Sequence, residues 1–362
     1  MNILVCGSCM PQEYEYKVRD LAAASNQYHL NMINALKKIG NVKVLSYIGM
    51  NLNGVSQYDI KFDSETIGIS CVFKQKKFYN TFFEYRNKLK KYMEWADVII
   101  TYNVQYTWFG VGNLAKKYGK KAVLVWADHT PVFNRKTLAS KLYGYLSERS
   151  ARQYQKVVAL SPNMKKYLKK SQEFVISNGC IDWEQYKDFK KPEKKDNVYF
   201  MFSGLLEAVT GADLLLEAIK KVKAKNIKVI VTGKGSIDIK KYADKDDRID
   251  YRGFVSRREY LNLLQEADIL LNPRNMNLPE NQNNFPSKVL EYIASGRVII
   301  STKFPGYEEF KNNCCFIESD VDSFAKKIDE FACRRLNYEE QFVKNRKKAL
   351  NYIWDNEVKK YL

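Results

Sequence analysis

The densest set of residues able to do chemistry is Asn283 to Ser287 (NNFPS), which runs straight into a helix-forming segment carrying Lys288 and Glu291. Amides in the first turn of a helix have no carbonyl partner within it, and the helix dipole adds partial positive charge. Such a start suits a diphosphate. Ser287 adds a hydroxyl donor there and Lys288 a cation. Glu291, one turn in, can accept two hydrogen bonds from a ribose diol. Asn283 can hydrogen-bond a sugar hydroxyl, but an amide has no charge to stabilise a cationic centre and is no nucleophile. The bland alternative fits the same letters: Pro286 at N1, Ser287 beside the cap and Glu291 solvated.

Further candidates are scattered along the chain. Gly233 and Gly235 bracket Lys234 just past an expected buried strand, where a missing side chain lets a ligand approach the backbone; an ordinary turn fits equally. Arg274 ends the run LNPR, and its planar fork suits phosphate or sugar, a plain surface arginine being the alternative. His129 lies in AVLVWADHTP just beyond an expected strand end, with Asp128 beside it as a hydrogen-bonding carboxylate. A packed loop histidine fits that position as well. His29 falls inside a helical pattern and reads as structural. Cys6-x-x-Cys9 follows a strand, but no helix pattern begins until Asn26, which argues against a thioredoxin-like site. The other cysteines lack partners at metal-ligand spacing, so no metal is expected.

The elements that must position these residues alternate between strand and helix. Apolar runs at Ile3–Cys6, 42–47, 97–101, 122–126, 156–160 and 174–177 are separated by helical patterns at 26–39, 82–95, a helix closing at 116–121, and 136–154. Ser25 or Asn26 is the expected N-cap of the first helix. The stretch 187–197 (KDFKKPEKKDN) is charged and without apolar period, and reads as a linker. The pattern then restarts, with strands at 198–202, 228–232, 249–253, 269–272 and 298–301. Helices are expected at 212–223, 257–266, 288–294 and 321–333. The expected division is one domain over 1–190, a linker over 191–197 and a second domain over 198–337. A C-terminal helix over 338–362 would pack back toward the first domain. The fold class is α/β, with two parallel-sheet Rossmann-like domains expected to face across a cleft.

The landmarks VYFMFSG (198–204), VIVTGKG (229–235), YRGFVSRREYLNLLQEADILLNPR (251–274), NNFPSKVLEYIASGRVIIST (283–302) and FPGYEE (304–309) resemble, in order and spacing, a known domain. It is the nucleotide-sugar domain of retaining GT-B glycosyltransferases, specifically glycosyltransferase family four, in the form found in bacterial exopolysaccharide, capsule and O-antigen enzymes. The resemblance is strong over residues 198–309 and holds in outline elsewhere. It implies a hexosyl transfer from a nucleotide diphosphate sugar, UDP favoured, to a glycan or lipid-linked glycan hydroxyl, with no cofactor and no metal. It implies a diphosphate near Gly204, Gly233, Lys234, Arg274, Pro286, Ser287 and Lys288, with the ribose on Glu291. The base would lie against Gly253–Val255, with Phe254 flanking the ring and the backbone at Val255 reading its edge. His129 would touch the donor sugar, so His129, Asn283 and Lys288 form the implied catalytic group. The loop Leu21–Asn26, with Ala24 and Ser25, looks like the small-residue loop on the acceptor side, and closure about the linker would assemble the site. The chain departs from the pattern at Leu205, Thr210 and Asn283, where Arg, Lys and Glu are usual. A catalytically inert nucleotide-binding or partner-supporting protein is therefore the competing reading, and a sugar-nucleotide epimerase fits the landmarks less well.

The formal net charge of +19 comes from 60 Lys and Arg against 41 Asp and Glu. Lysine dominates, and a lysine-rich solvated surface is the plain explanation. The excess is uneven, +14 over residues 1–190 and +5 over 191–362. That asymmetry points to an anionic acceptor or an anionic membrane surface, and no nucleic acid is needed. The pattern 136–154 interleaves Lys136, Lys141, Arg149 and Arg152 with Leu142, Tyr143, Tyr145 and Leu146, as a helix lying on lipid would, or as a packed helix with a basic face would. The start MNILVCG has no signal-peptide character, and seven unframed cysteines suit a reducing cytoplasm, with the inner membrane face as the peripheral site.

Overall fold

The structure is a computed structural model, and it describes residues 1–10, 23–49, 69–129, 131–193, 195–333 and 338–362. The chain divides into two units, one of residues 1–180 with 354–362, the other of residues 181–353.

In the first unit the strands are β1 (Asn2–Gly7), β2 (Asn41–Ile48), β3 (Ile69–Phe73), β4 (Val98–Tyr102), β5 (Lys121–Trp126), β6 (Lys156–Ala159) and β7 (Glu173–Ile176). They form one parallel seven-stranded sheet in the order β3-β2-β1-β4-β5-β6-β7. Both faces are covered, and side chains alternate along each strand. Ile3 and Val5 pack with Met32, Ile33 and Leu36 of α1 (Ala23–Lys37) on one face. Leu4 and Cys6 pack on the other with Tyr85, Leu89 and Met93 of α2 (Phe78–Trp95) and Ala115 of α3 (Val111–Lys117). Ala151 of α4 (Leu138–Ala151) joins that second face. Thr137 caps α4, accepting from the Ser140 amide while its own amide donates to Ser140 Oγ.

In the second unit β8 (Val198–Leu206), β9 (Ile227–Gly235), β10 (Ile249–Gly253), β11 (Ile269–Asn272), β12 (Val298–Thr302) and β13 (Cys315–Ile317) form a parallel sheet. Its order is β10-β9-β8-β11-β12-β13. Helices α5 (Ala212–Lys221), α6 (Lys240–Ala243), α7 (Arg257–Glu266), α8 (Lys288–Ser295), α9 (Val321–Cys333) and α10 (Tyr338–Ala349) complete it. Phe200 and Phe202 of β8 pack with Leu215 and Ile219 of α5 and Phe324 and Ile328 of α9.

The boundary falls at 180/181, before the charged stretch expected to be the linker. The reason is a set of bonds that ties residues 183–190 into the second unit. Arg346 of α10 donates to the Tyr186 and Lys187 carbonyls and stacks over Trp183, while buried Arg297 donates to Lys190, Leu264 and Gln265 carbonyls. The C-terminal segment is also not one helix returning to the first unit. Residues 338–353 stay with the second unit, and after an extended Ile353 that pairs with Ile181 the chain enters α11 (Trp354–Glu357) in the first.

Candidate functional site

In open parallel sheets ligands bind beyond the carboxyl ends of strands, where the strand order reverses. In the second unit that point lies between β8 and β11. Ser203 and Gly204 sit near the end of β8, and Pro273 and Arg274 follow β11. The chain from Arg274 then leads into α8, so the strand ends, Arg274 and the start of α8 converge in one place.

Gly204 pairs with Gly233 across β8 and β9, and the pairing continues through Leu205 with Lys234 and Leu206 with Gly235. Gly233 and Gly235, expected just past a strand, therefore lie within its last residues. Gly233 has φ +140, and a Cβ on it would lie 1.8 Å from the Gly204 carbonyl, so only glycine fits there. Lys288 reaches from the first residue of α8 back over this edge. Its Nζ donates to the Ser203 carbonyl at 2.6 Å, lies 4.6 Å from the Phe202 ring centre, and would meet a Cβ on Gly204 at 2.6 Å. Burial and the charge of Arg274 push its pKa down to about 7, with Glu291 acting the other way.

Glu291 is held from two sides. Tyr260 donates to Oε2 at 2.7 Å, and Arg257 Nη1 lies 2.8 Å from Oε1. Arg257 also donates to Gln185 and to the Tyr186 hydroxyl. Arg274 donates to buried Asn281, whose amide in turn donates to the Val209 and Asn275 carbonyls, so the guanidinium is fixed in the crevice. Ser287 is exposed at the N-cap with helical dihedrals and makes no side-chain cap bond, while Pro286 and Asn283 are buried. Phe254 is 75% exposed, with Lys234 Nζ 5.1 Å from its ring, and Val255 is half-buried beside it. Leu205 is exposed, and Thr210 donates to the Leu205 and Glu207 carbonyls in the turn that follows.

The residues expected on the acceptor side lie in the first unit. His129 is buried between Trp126 and Tyr167, ring centres 4.7 and 4.3 Å away, with Nε2 3.2 Å from Glu148 Oε1. Burial and the cations Arg135 and Lys166 lower its pKa to about 4, so the ring is neutral near pH 7. Asp128 is exposed, its amide donating to Asn103 Oδ1 at 3.0 Å. The expected loop 21–26 needs correction where it can be seen. Helix α1 begins at Ala23, so Ala24 and Ser25 are in its first turn; Leu21 and Ala22 lie outside the described residues. Asn26 is no cap but a buried clamp, its amide bonding both the Met10 amide and carbonyl. Cys6 and Cys9 are buried and free, and burial pushes their thiols up to about 12. Among the described residues no group of His, Cys, Asp and Glu could hold a metal ion.

Residues 197–333 match the family described as Glycosyl transferases group 1. The protein is a glycosyltransferase. Both its units are the Rossmann-like domains of the GT-B fold. Three solved structures share that fold over nearly whole chains, each with a TM-score of 0.71. They are Anabaena HepE in complex with UDP (13% identity, 99% of this chain and 98% of that one), a Rickettsia africae glycosyltransferase (15%, 99% and 96%), and the lipopolysaccharide outer core galactosyltransferase WaaB (15%, 100% and 98%). No curated protein matches the chain in sequence.

The geometry of this glycosyltransferase adds residues that reading the sequence missed. Arg257 and Tyr260 share one face of α7 at i and i+3, a spacing visible in the sequence, but nothing there points them at Glu291. The roles of Asn281, the Ser203 carbonyl and Glu148 depend on contacts between distant segments and left no local signal.

Proposed function

We propose that this glycosyltransferase moves a hexosyl group from a UDP-sugar, with retention of configuration, to a hydroxyl of a glycan or lipid-linked glycan in surface polysaccharide synthesis. The observation that carries the donor assignment is the convergence of Lys288, Arg274 and the start of α8 on the glycine pair Gly204 and Gly233, with Glu291 one turn further along. Two solved neighbours support its finer terms. HepE is solved in complex with UDP and with UDP and glucose, and WaaB is a lipopolysaccharide galactosyltransferase.

In this reading the diphosphate lies at the first turn of α8, and Lys288 leaves the Ser203 carbonyl to pair with it. Glu291, pre-oriented by Arg257 and Tyr260, takes the ribose diol. Phe254 and Val255 flank the uracil, and Asn283 bonds a hydroxyl of the donor sugar. Departure and attack occur on one face of the sugar. The leaving diphosphate takes the acceptor proton while Lys288, Arg274, Lys234 and the helix amides hold its charge. These cations replace the usual Arg and Lys at Leu205 and Thr210, and no divalent metal is required. Asp128, Ala24 and Ser25 belong to the acceptor side.

A panel of nucleotide sugars tests the donor assignment by thermal shift. Saturation at about a hundred times Kd stabilises a protein by about 2.7 kcal/mol, which raises Tm by several degrees. Glu291→Ala is expected to abolish the shift; an unchanged shift in that variant removes the ribose contact. Hydrolysis of the donor that binds, unaffected by EDTA, is expected from an active enzyme. Binding without turnover in any acceptor mixture would leave the inert reading standing instead.

A further inference from the structure

The helix α4 is built the wrong way round for a helix whose only neighbour is its own domain. Its buried residues are the small ones, Gly144, Ser147, Ser150 and Ala151. Its large apolar residues face out: Leu138 is 85% exposed, Leu142 58% and Tyr145 52%, with Leu146 also exposed. Positions 138, 142, 145 and 146 follow the i, i+4, i+7, i+8 spacing of a single helix face.

A second apolar group stands on α2, where Phe78 is 70% exposed and Phe83 60%. The crossovers β3 to β4, β4 to β5 and β5 to β6 all run in one direction along the sheet, so α2, α3 and α4 cover the same face. Contacts run from one helix to the other. Arg86 of α2 lies over the Phe82 ring and donates to the Phe109 carbonyl, and the Phe109 ring packs 5.6 Å from Tyr143 of α4. The exposed aromatic and leucine side chains therefore belong to one face of the first unit.

That face is basic as well as apolar. Lys74, Lys76 and Lys77 precede or open α2, Lys136 and Lys141 open α4, and Arg149 extends its outer stripe; all are exposed. Among the described residues none of these six is paired with a carboxylate. The whole unit carries 29 Lys and Arg against 14 Asp and Glu, against which the second unit is close to balanced at 31 and 27.

We propose that the α2–α4 face docks on a lipid bilayer with anionic headgroups. Leu138, Leu142, Tyr145, Phe78 and Phe83 enter the interface, and the surrounding lysines and Arg149 meet lipid phosphates. Each half of the arrangement is weak alone, since leucines on one helix face bury limited area and unpaired surface lysines are common. Together they meet the two-signal requirement for stable binding at an interface. No helix among the described residues is long and apolar enough to cross a membrane, so attachment here is to the surface. The inference does not depend on the donor assignment, because it concerns only the first unit.

The test is co-sedimentation of the full chain with vesicles of phosphatidylcholine alone and of phosphatidylcholine containing phosphatidylglycerol. The wild type is expected to sediment with the anionic vesicles only, and less so at high salt. Leu138→Ser with Leu142→Ser is expected to abolish retention. Lys136→Gln with Lys141→Gln is expected to weaken it by roughly fivefold per lysine. The nucleotide-induced thermal shift of each variant, read separately, shows that it is folded and that donor binding stands or falls by itself. The proposal is overturned if the wild type ignores anionic vesicles, or if both variants sediment like the wild type. It is equally overturned if the chain without lipid is a dimer that the leucine variant separates, because the face then joins two copies.

Discussion

At the scale of residues, Lys288 has the most telling titration in the second unit. Its amine sits against Phe202 and Ser203, and burial with the charge of Arg274 holds it down to about 7. A diphosphate placed beside it favours the charged form, so nucleotide binding above pH 7 takes up a proton. The expected outcome is an affinity that falls by up to about tenfold per pH unit from pH 7 toward 10, with proton uptake visible by calorimetry in buffers of different ionisation enthalpy. Lys288→Met is expected to bind more weakly and to lose this dependence. A wild type whose affinity is flat across that range and which takes up no proton would show that Lys288 is not the phosphate cation. That Lys288 opens a helix is legible in PSKVLEY; that it lies on the Ser203 carbonyl, 85 positions away, is not.

At the scale of elements, the alternation of apolar runs and helical spacing was readable, and Arg257–Glu266 and Ile249–Gly253 fall where the pattern puts them. Short or composite elements were not. Strand β3 and the three-residue β13 exist because a neighbour offers them a ladder, and their own sequences carry too few residues to show a period. The ends of β8 and β9 are longer than their apolar runs, because Gly204 and Gly233 let the two backbones meet past the core. This gives a prediction for the element pair. Gly233→Ala forces a side chain into positive φ and into the Gly204 carbonyl, and is expected to cost about 2–4 kcal/mol in urea denaturation. It should also weaken nucleotide binding, since the seat of Lys288 moves with that edge. A variant as stable as the wild type would mean the strand ends are free to separate.

At the scale of the whole molecule, both histidines belong to the first unit and the second has none. His29, buried against Gly7 and Tyr102, and His129 are each lowered to about 4, in both cases chiefly by burial. Their unfolded values lie near 6.5, so the stability they contribute is complete above that pH. It is lost as pH falls toward 4, by up to about 1.4 kcal/mol per histidine per pH unit. Hydrogen exchange at pH 5 is accordingly expected to show β1–β7 opening more readily than β8–β13, relative to pH 7. Equal loss of protection in the two sheets would count against it. Taken by itself, the sequence determined the alternation that makes two parallel sheets, the landmarks of residues 198–309 and the helix start with its cation and carboxylate. These are local patterns, written in adjacent residues and in fixed periods. Only the tertiary structure decided that residues 181–190 join the second unit, that Glu291 is gripped by Arg257 and Tyr260, and that α4 turns its leucines outward. Each of those depends on which distant segment supplies a carbonyl, a guanidinium or a packing surface. A period along the chain carries no record of such partners, because burial is a property of the folded arrangement and not of any one stretch of it.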